Sequence, residues 1–221
     1  MEGIVIKTID YKEKSKIVYL YTSFGMKSIK ALDVLRTKLG FVTTLNVVDF
    51  EMSKGNLPTV TEYTLKDSFY SLYEDLTKVG VLAPILDILQ HLEEEVNHTR
   101  VYSFVIQILK ALRETKEPYY ILSLFLVKML AVFGVRPVLK QCIHCKGTRI
   151  VNFSILEGGA LCANCATYNE GNFGIFTALE RLYYSKTYEV QVLPVDYKSL
   201  LEAIYSYYAI HVHLNLKNYL F

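Results

Sequence analysis

The 221-residue chain lacks the short glycine motifs with which many enzymes hold phosphates or aim a nucleophile. It has no G-x-x-x-x-G-K-[S/T], no G-x-G-x-x-G and no G-x-S-x-G. Its histidines form no matched set. His211 and His213 are two apart, so on a helix they point in different directions, and His91 and His98 stand at expected helix ends beside acidic residues. An enzyme is therefore not expected and no catalytic residue is assigned. Also missing is an apolar leader behind a basic segment, since the chain opens Met1-Glu2-Gly3-Ile4. The most membrane-like stretch, Tyr119 to Val135, is short for a span and carries Lys128 near its middle, so a buried helix is expected there. No repeat or low-complexity tract occurs. These absences point to a chain of the reducing cytoplasm with no membrane partner.

Cysteine is scarce, with four in the chain, but it is ordered. Cys142 and Cys145 read C-I-H-C, and Cys162 and Cys165 read C-A-N-C sixteen residues later. Two residues between thiolates let one tight turn aim both sulfurs at a metal, and a second such knuckle completes a closed tetrahedron with no place for water. A structural Zn2+ is the expected cofactor. Two disulfides, four unrelated buried thiols or a redox C-x-x-C are the alternatives, and His144 inside the first knuckle is a possible substitute ligand. Gly147 and Gly158-Gly159 mark the turns of the intervening ribbon.

The net charge of +2 hides an uneven distribution. Residues 1–40 hold eight basic and four acidic side chains, residues 65–100 three and seven, and residues 101–150 eight and two. Two basic blocks separated by an acidic one suggest separate faces for separate partners, against the plainer reading of solvated surface.

From Gly3 to Phe69 the pattern is strand-like, with runs at Gly3–Lys7, Ser15–Thr22, Lys27–Leu32, Phe41–Met52 and Thr59–Leu65. Five short strands in so few residues predict a small closed barrel, either a five-stranded Greek key of the oligonucleotide-binding (OB) type or an SH3-like barrel. Its basic residues are Lys7, Lys12, Lys14, Lys16, Lys27, Lys30, Arg36 and Lys38, and Tyr11, Tyr19, Tyr21 and Phe24 lie among them. Cations that follow phosphates and aromatic faces that stack on bases are the needs of a single-stranded nucleic-acid groove, although a barrel this small also consumes tyrosines in its core.

Beyond Ser68 the apolar period becomes helical. Phe69, Leu72, Tyr73, Leu76, Val79 and Leu82 predict one helix, with Pro84 opening or kinking its continuation to Leu92. Further helices are predicted at Thr99–Arg113, Pro118–Phe133, Thr177–Lys186 and Asp196–Asn218, the second of these apolar nearly all round and so central to a bundle. A polar link from Tyr168 to Gly174 follows the last cysteine. The expected architecture is multidomain α and β: a barrel at 1–70, an all-α domain at 71–221, and a four-cysteine zinc ribbon inserted at 138–170.

This order of parts resembles the RecO family of bacterial DNA repair and recombination mediators. The resemblance rests on Glu2-Gly3-Ile4-Val5, Asp10-Tyr11, Ser15-Lys16-Ile17, Tyr21-Thr22, Gly25-Met26-Lys27 and Gly55-Asn56-Leu57-Pro58-Thr59. Around the cysteines it rests on Phe133-Gly134-Val135-Arg136-Pro137, Cys142-Ile143-His144-Cys145, Phe153-Ser154 and Gly158-Gly159-Ala160-Leu161-Cys162. It implies a non-catalytic protein that binds single- and double-stranded DNA and anneals complementary strands. It also implies work with RecR and single-stranded-DNA-binding protein to let RecA load. The barrel would be the DNA surface. The helical domain would receive the acidic tail of the single-strand-binding protein on cations between Lys110 and Arg149, with Arg113 and Lys128 as candidates. The segment Ala31-Leu32-Asp33-Val34-Leu35-Arg36-Thr37-Lys38 departs from the denser basic run usual in the family. A zinc-stapled adaptor whose barrel binds protein is the alternative.

Overall fold

The computed structural model describes residues 1–34, 39–166 and 173–219. The chain divides into two compact units. Unit 1 comprises Met1–Leu82 and Leu86–Thr115, and unit 2 comprises Ala83–Ile85 and Lys116–Phe221.

Unit 1 opens with five antiparallel strands: β1 (Glu2–Asp10), β2 (Lys16–Thr22), β3 (Gly25–Ala31), β4 (Asn46–Met52) and β5 (Val60–Ser68). Their order is β3-β2-β1-β4-β5, the Greek-key order of the OB type. Period-2 alternation sends Val18 and Leu20 inward with Val5, Ile29, Val48, Phe50 and Val60, all buried. Burying each such side chain contributes about 1.5–3 kcal/mol. The barrel is not the fully laddered cylinder expected. The outer strands meet at a single parallel bridge, Lys30 with Thr59, beside a 2.8 Å bond from the Lys30 amide to the Pro58 carbonyl. Pro58 has no N–H and cannot extend that ladder.

The strand predicted from Phe41 to Met52 divides. Leu39–Val42 is one helical turn, α1, and β4 starts only at Asn46. The Asn46 side-chain amide donates to the Gly40 carbonyl (2.8 Å) and the Thr43 hydroxyl to that of Leu39 (2.7 Å), while Leu45 takes φ 66°. Phe41 thereby enters the barrel core with its ring 5.8 Å from that of Phe50. The predicted Phe69–Leu82 helix also divides. A 3-10 segment, Tyr70–Glu74, precedes α2 (Leu76–Gln90). Asp75 intervenes because its carboxylate accepts from the amides of Thr77 and Lys78, making it an N-cap. Pro84 lies inside α2 and does not open it. Helix α3 (His98–Glu114) packs on β2. There Tyr21, fully buried, shares a 3.0 Å hydrogen bond with His98 Nδ1, and Tyr102 donates to Glu2 (2.9 Å).

Unit 2 centres on α4 (Pro118–Val132), buried on nearly all sides, as its all-round apolar sequence requires. Proline at its first position suits a helix start, where the missing N–H has no partner to lose. A two-stranded ribbon, β6 (Ile150–Ser154) and β7 (Gly159–Cys162), lies between α4 and α5 (Phe173–Tyr184). The predicted terminal helix ends early. Helix α6 covers Tyr197–Tyr207, a π turn follows at Tyr208–Val212, and His213 at φ 60° stops it. Buried tyrosines reach backbone carbonyls: Tyr208 that of Leu126 (2.8 Å) and Tyr207 that of Val135 (3.2 Å). Among the described residues no helix is long and apolar enough to cross a membrane.

Candidate metal centre and nucleic-acid interface

The ribbon assembles the four cysteines from two tight turns. The Cys142 amide donates to the Gly147 carbonyl (2.8 Å) and the Lys146 amide to that of Cys142 (3.0 Å), closing the first knuckle. In the second, the amides of Cys165 and Ala166 donate to the Cys162 carbonyl at 3.0 and 2.9 Å. The knuckles are brought together by backbone pairing, since the Ile143 amide donates to Ala160 of β7 (3.0 Å) and Val138 bridges Gly159. Glycine is required at position 159 because a Cβ there would run into the Ile143 side chain. Gly158, at φ 74°, makes the ribbon turn against the Tyr207 hydroxyl.

All four cysteines are free thiols, and their sulfurs lie within 4.8 Å of one another, Cys145 and Cys162 at 3.5 Å. Cys142 and Cys162 are buried, Cys165 is half-buried and Cys145 is exposed. The Cys145 amide, donating to the Cys142 sulfur, is the first cause that holds the Cys142 thiol down at about 6. Hydrogen bonding to Cys162 and burial push Cys165 up to about 12. Hydrogen bonds within the cluster thus favour the charged forms of Cys142 and Cys162 and disfavour that of Cys165. The residues fit a closed four-sulfur metal site. His144 is not drawn in as a ligand; its Nε2 faces Glu157 at 2.9 Å.

On the barrel, loop geometry gathers some of the predicted cations and separates others. The segment after β3 is tied to the β1–β2 loop by the Val34 amide and Lys14 carbonyl (2.9 Å), and the β4–β5 loop by Lys30 and Pro58. Lys12, Lys14, Lys16 and Lys30 therefore belong to one end of the barrel. Lys54, in the β4–β5 loop, belongs there too and was not among the sequence candidates; its position in a loop of an OB-type barrel was the available signal. Lys12 Nζ stands 5.5 Å over the Tyr11 ring. Lys16 is partly committed, 2.6 Å from Asp10. On the outward side of the ladder Lys7 is paired with Tyr19 and Tyr19 with Ser28. Lys27 sits apart, near the β2–β3 turn. Arg36 and Lys38 lie outside the described residues. The base of the β4–β5 hairpin is acidic, with Glu51 directly opposite Glu62.

The two remaining candidates have internal partners. Arg113 lies 3.2 Å from Asp67 and its guanidinium 5.0 Å over the Phe69 ring. Lys128 donates to the carbonyls of Tyr183 (2.6 Å) and Ser185 (2.7 Å), closing the C-terminal end of α5, and burial lowers its pKa.

Comparison with known proteins places this geometry. Residues 1–69 match the family description "Recombination protein O N terminal" and residues 73–220 match "Recombination protein O C terminal". A DNA repair protein RecO of Halalkalibacterium halodurans is 31% identical over 98% of this chain and 91% of the relative. Those of Bacillus pumilus and Listeria monocytogenes serotype 4b are 29% and 28% identical, over 98% of this chain and 90% and 91% of theirs. With both halves matched and relatives of the same name along almost its full length, the chain belongs to the RecO family of DNA repair proteins.

Proposed function

We propose that this chain is a DNA-binding recombination mediator. It binds single- and double-stranded DNA at the cationic end of the barrel and anneals complementary strands. With RecR and single-stranded-DNA-binding protein it assists RecA loading. Lys12, Lys14 and Lys30 contact phosphates there, Tyr11 and Tyr19 offer ring faces to bases, and Lys7, Lys16, Lys27, Arg36 and Lys38 add to the field. The observation that supports this reading is the pair of backbone ties that bring the β1–β2 loop, the end of β3 and the β4–β5 loop, with Lys12, Lys14, Lys16, Lys30 and Lys54 on them, to one end of the barrel. The protein acts by holding strands and not by chemistry on them, in the cytoplasm at the nucleoid.

Zn2+ is the proposed occupant of Cys142, Cys145, Cys162 and Cys165. Four cysteine sulfurs with no histidine or carboxylate among them favour it, and it supplies structure, because no ligand position is left for substrate. For the acidic tail of the single-strand-binding protein, cations of the segment from Lys110 to Arg149 are proposed. Arg113 and Lys128 take part only by giving up their internal partners.

The test is a salt titration of single-stranded oligonucleotide binding, paired with strand annealing. Replacing Lys12, Lys14 and Lys30 by alanine is expected to lower the salt slope by about 2, at roughly 0.7 per phosphate contact on single strands. It should slow annealing as well, whereas Lys27→Ala should do less. Tight RecR binding with no DNA affinity at low salt would favour a protein-binding adaptor and overturn the proposal.

A further inference from the structure

Unit 2 carries a second stretch of cations that the barrel does not explain. No Asp or Glu occurs between Glu117 and Glu157, while Lys128, Arg136, Lys140, Lys146 and Arg149 do. Lys128 is spent inside the bundle. The other four are exposed and follow the chain into, around and out of the first knuckle. Among the described residues none of them pairs with a carboxylate, in contrast to Lys16, Lys66 and Arg113. Lys146 reaches only a carbonyl of its own turn, that of Ile143 at 3.1 Å.

One plain explanation is that these cations offset the thiolates. Four thiolates with a dication carry two net negative charges, and Glu157, held by His144, brings a third. Four cations exceed that, so the ribbon remains cationic with its metal bound. The second observation is aromatic. Lys140 Nζ stands 5.5 Å over the ring of Tyr184, which is 44% exposed. This repeats, in unit 2, the Lys12–Tyr11 arrangement of unit 1 at the same 5.5 Å. An exposed tyrosine under the unpaired Lys140 is suited to a single strand, with phosphates on the cations and a base on the ring.

We infer that Arg136, Lys140, Lys146, Arg149 and Tyr184 form a second nucleic-acid contact surface, distinct from the barrel and directed at the sugar-phosphate backbone of a single strand. The inference rests on the proposed DNA-binding role of the barrel. It gives one strand-binding surface to each unit of a single chain, which is what bringing two strands together requires. The acidic tail proposed above for the segment from Lys110 to Arg149 would compete for these cations, and the exposed ring of Tyr184 under Lys140 is what favours a single strand here.

The test uses the full-length, zinc-loaded protein. Salt-titrated binding of a fluorescent single-stranded oligonucleotide is measured for the wild type, for Lys140→Ala/Lys146→Ala/Arg149→Ala and for the barrel triple variant. The ribbon variant should lower the salt slope by about 2, at roughly 0.7 per lost contact, and slow annealing. Zinc content and melting temperature are followed alongside. If the triple variant loses zinc, Lys140→Ala/Tyr184→Ala, outside the knuckles, takes its place and should lower the slope by about 0.7. An unchanged slope overturns the inference while leaving the barrel reading intact. So does an unchanged slope with lost binding of an Asp-rich peptide, which assigns the surface to a protein tail. Absence of oligonucleotide binding by the wild type would overturn the barrel reading first, and this one with it.

Discussion

The barrel of unit 1 and the ribbon of unit 2 are both small antiparallel sheets, yet they are held by different means. The barrel encloses an apolar interior of Val5, Val18, Leu20, Ile29, Phe41, Val48, Phe50 and Val60. The ribbon has two strands, and the cluster buried around its cysteines is small, Cys142, Leu161 and Cys162, with Phe153 turned to the helices instead, stacked on Tyr207. A two-stranded sheet is marginal in water because it has no second layer to bury. In the ribbon, four converging sulfurs stand where the barrel has its apolar interior, and the proposed metal would take that interior's place.

Metal removal is the strongest way to break this comparison. Binding of a structural zinc is linked to folding by about 10 kcal/mol or more. Chelation, or Cys142→Ser, should abolish hydrogen-exchange protection at the Ile143 and Ala160 amides while the β2 amides keep theirs. Equal loss in both places would mean that the ribbon has no metal-dependent stability of its own.

Alkali should attack the units in the other sense. Burial raises Tyr207 to about 12 and pushes Tyr21, Tyr102, Tyr205 and Tyr208 upward as well. A folded pKa above the unfolded value of 10.0 gives stability that is complete below pH 10 and is lost as pH rises towards 12. Unit 2, with more of these tyrosines, should therefore melt first between pH 10 and 12, as read by tyrosinate absorbance and circular dichroism.

Smaller changes sharpen the contrast. Phe41→Ala should cost the barrel about 3–5 kcal/mol in urea unfolding, with zinc content unchanged. Two hydroxyls of unit 2 should respond with opposite signs. Tyr208→Phe removes the bond to Leu126 and should cost about 1 kcal/mol. Among the described residues the Tyr205 hydroxyl is buried with no partner, so Tyr205→Phe should leave stability unchanged or raise it by about 1 kcal/mol.

The meeting of the four cysteines was legible in the sequence because two knuckles at that spacing need only local turns to come together. The five strands and α4 were legible from period and burial pattern. The boundaries that failed were set by single polar side chains or by partners far along the chain. Asp75 divides a continuous apolar face because its carboxylate caps two amides. Asn46 and Thr43 turn an apolar strand-like run into α1. Lys128 looked available in sequence, and it is consumed by carbonyls about 55 residues away, which no local pattern reports.

The π turn at Tyr208–Val212 has a consequence for how such chains change over time. A wide turn carries one residue more than an α turn, and that extra residue sets the direction in which His211 leaves the helix, towards the Ile155 carbonyl at 2.8 Å. Losing one residue here would rewind the turn and swing His211 by about 100° away from the ribbon. A single deletion at this turn would remove one of the ribbon's two ties to α6 without touching a cysteine, leaving the stack of Phe153 on Tyr207 to hold it alone.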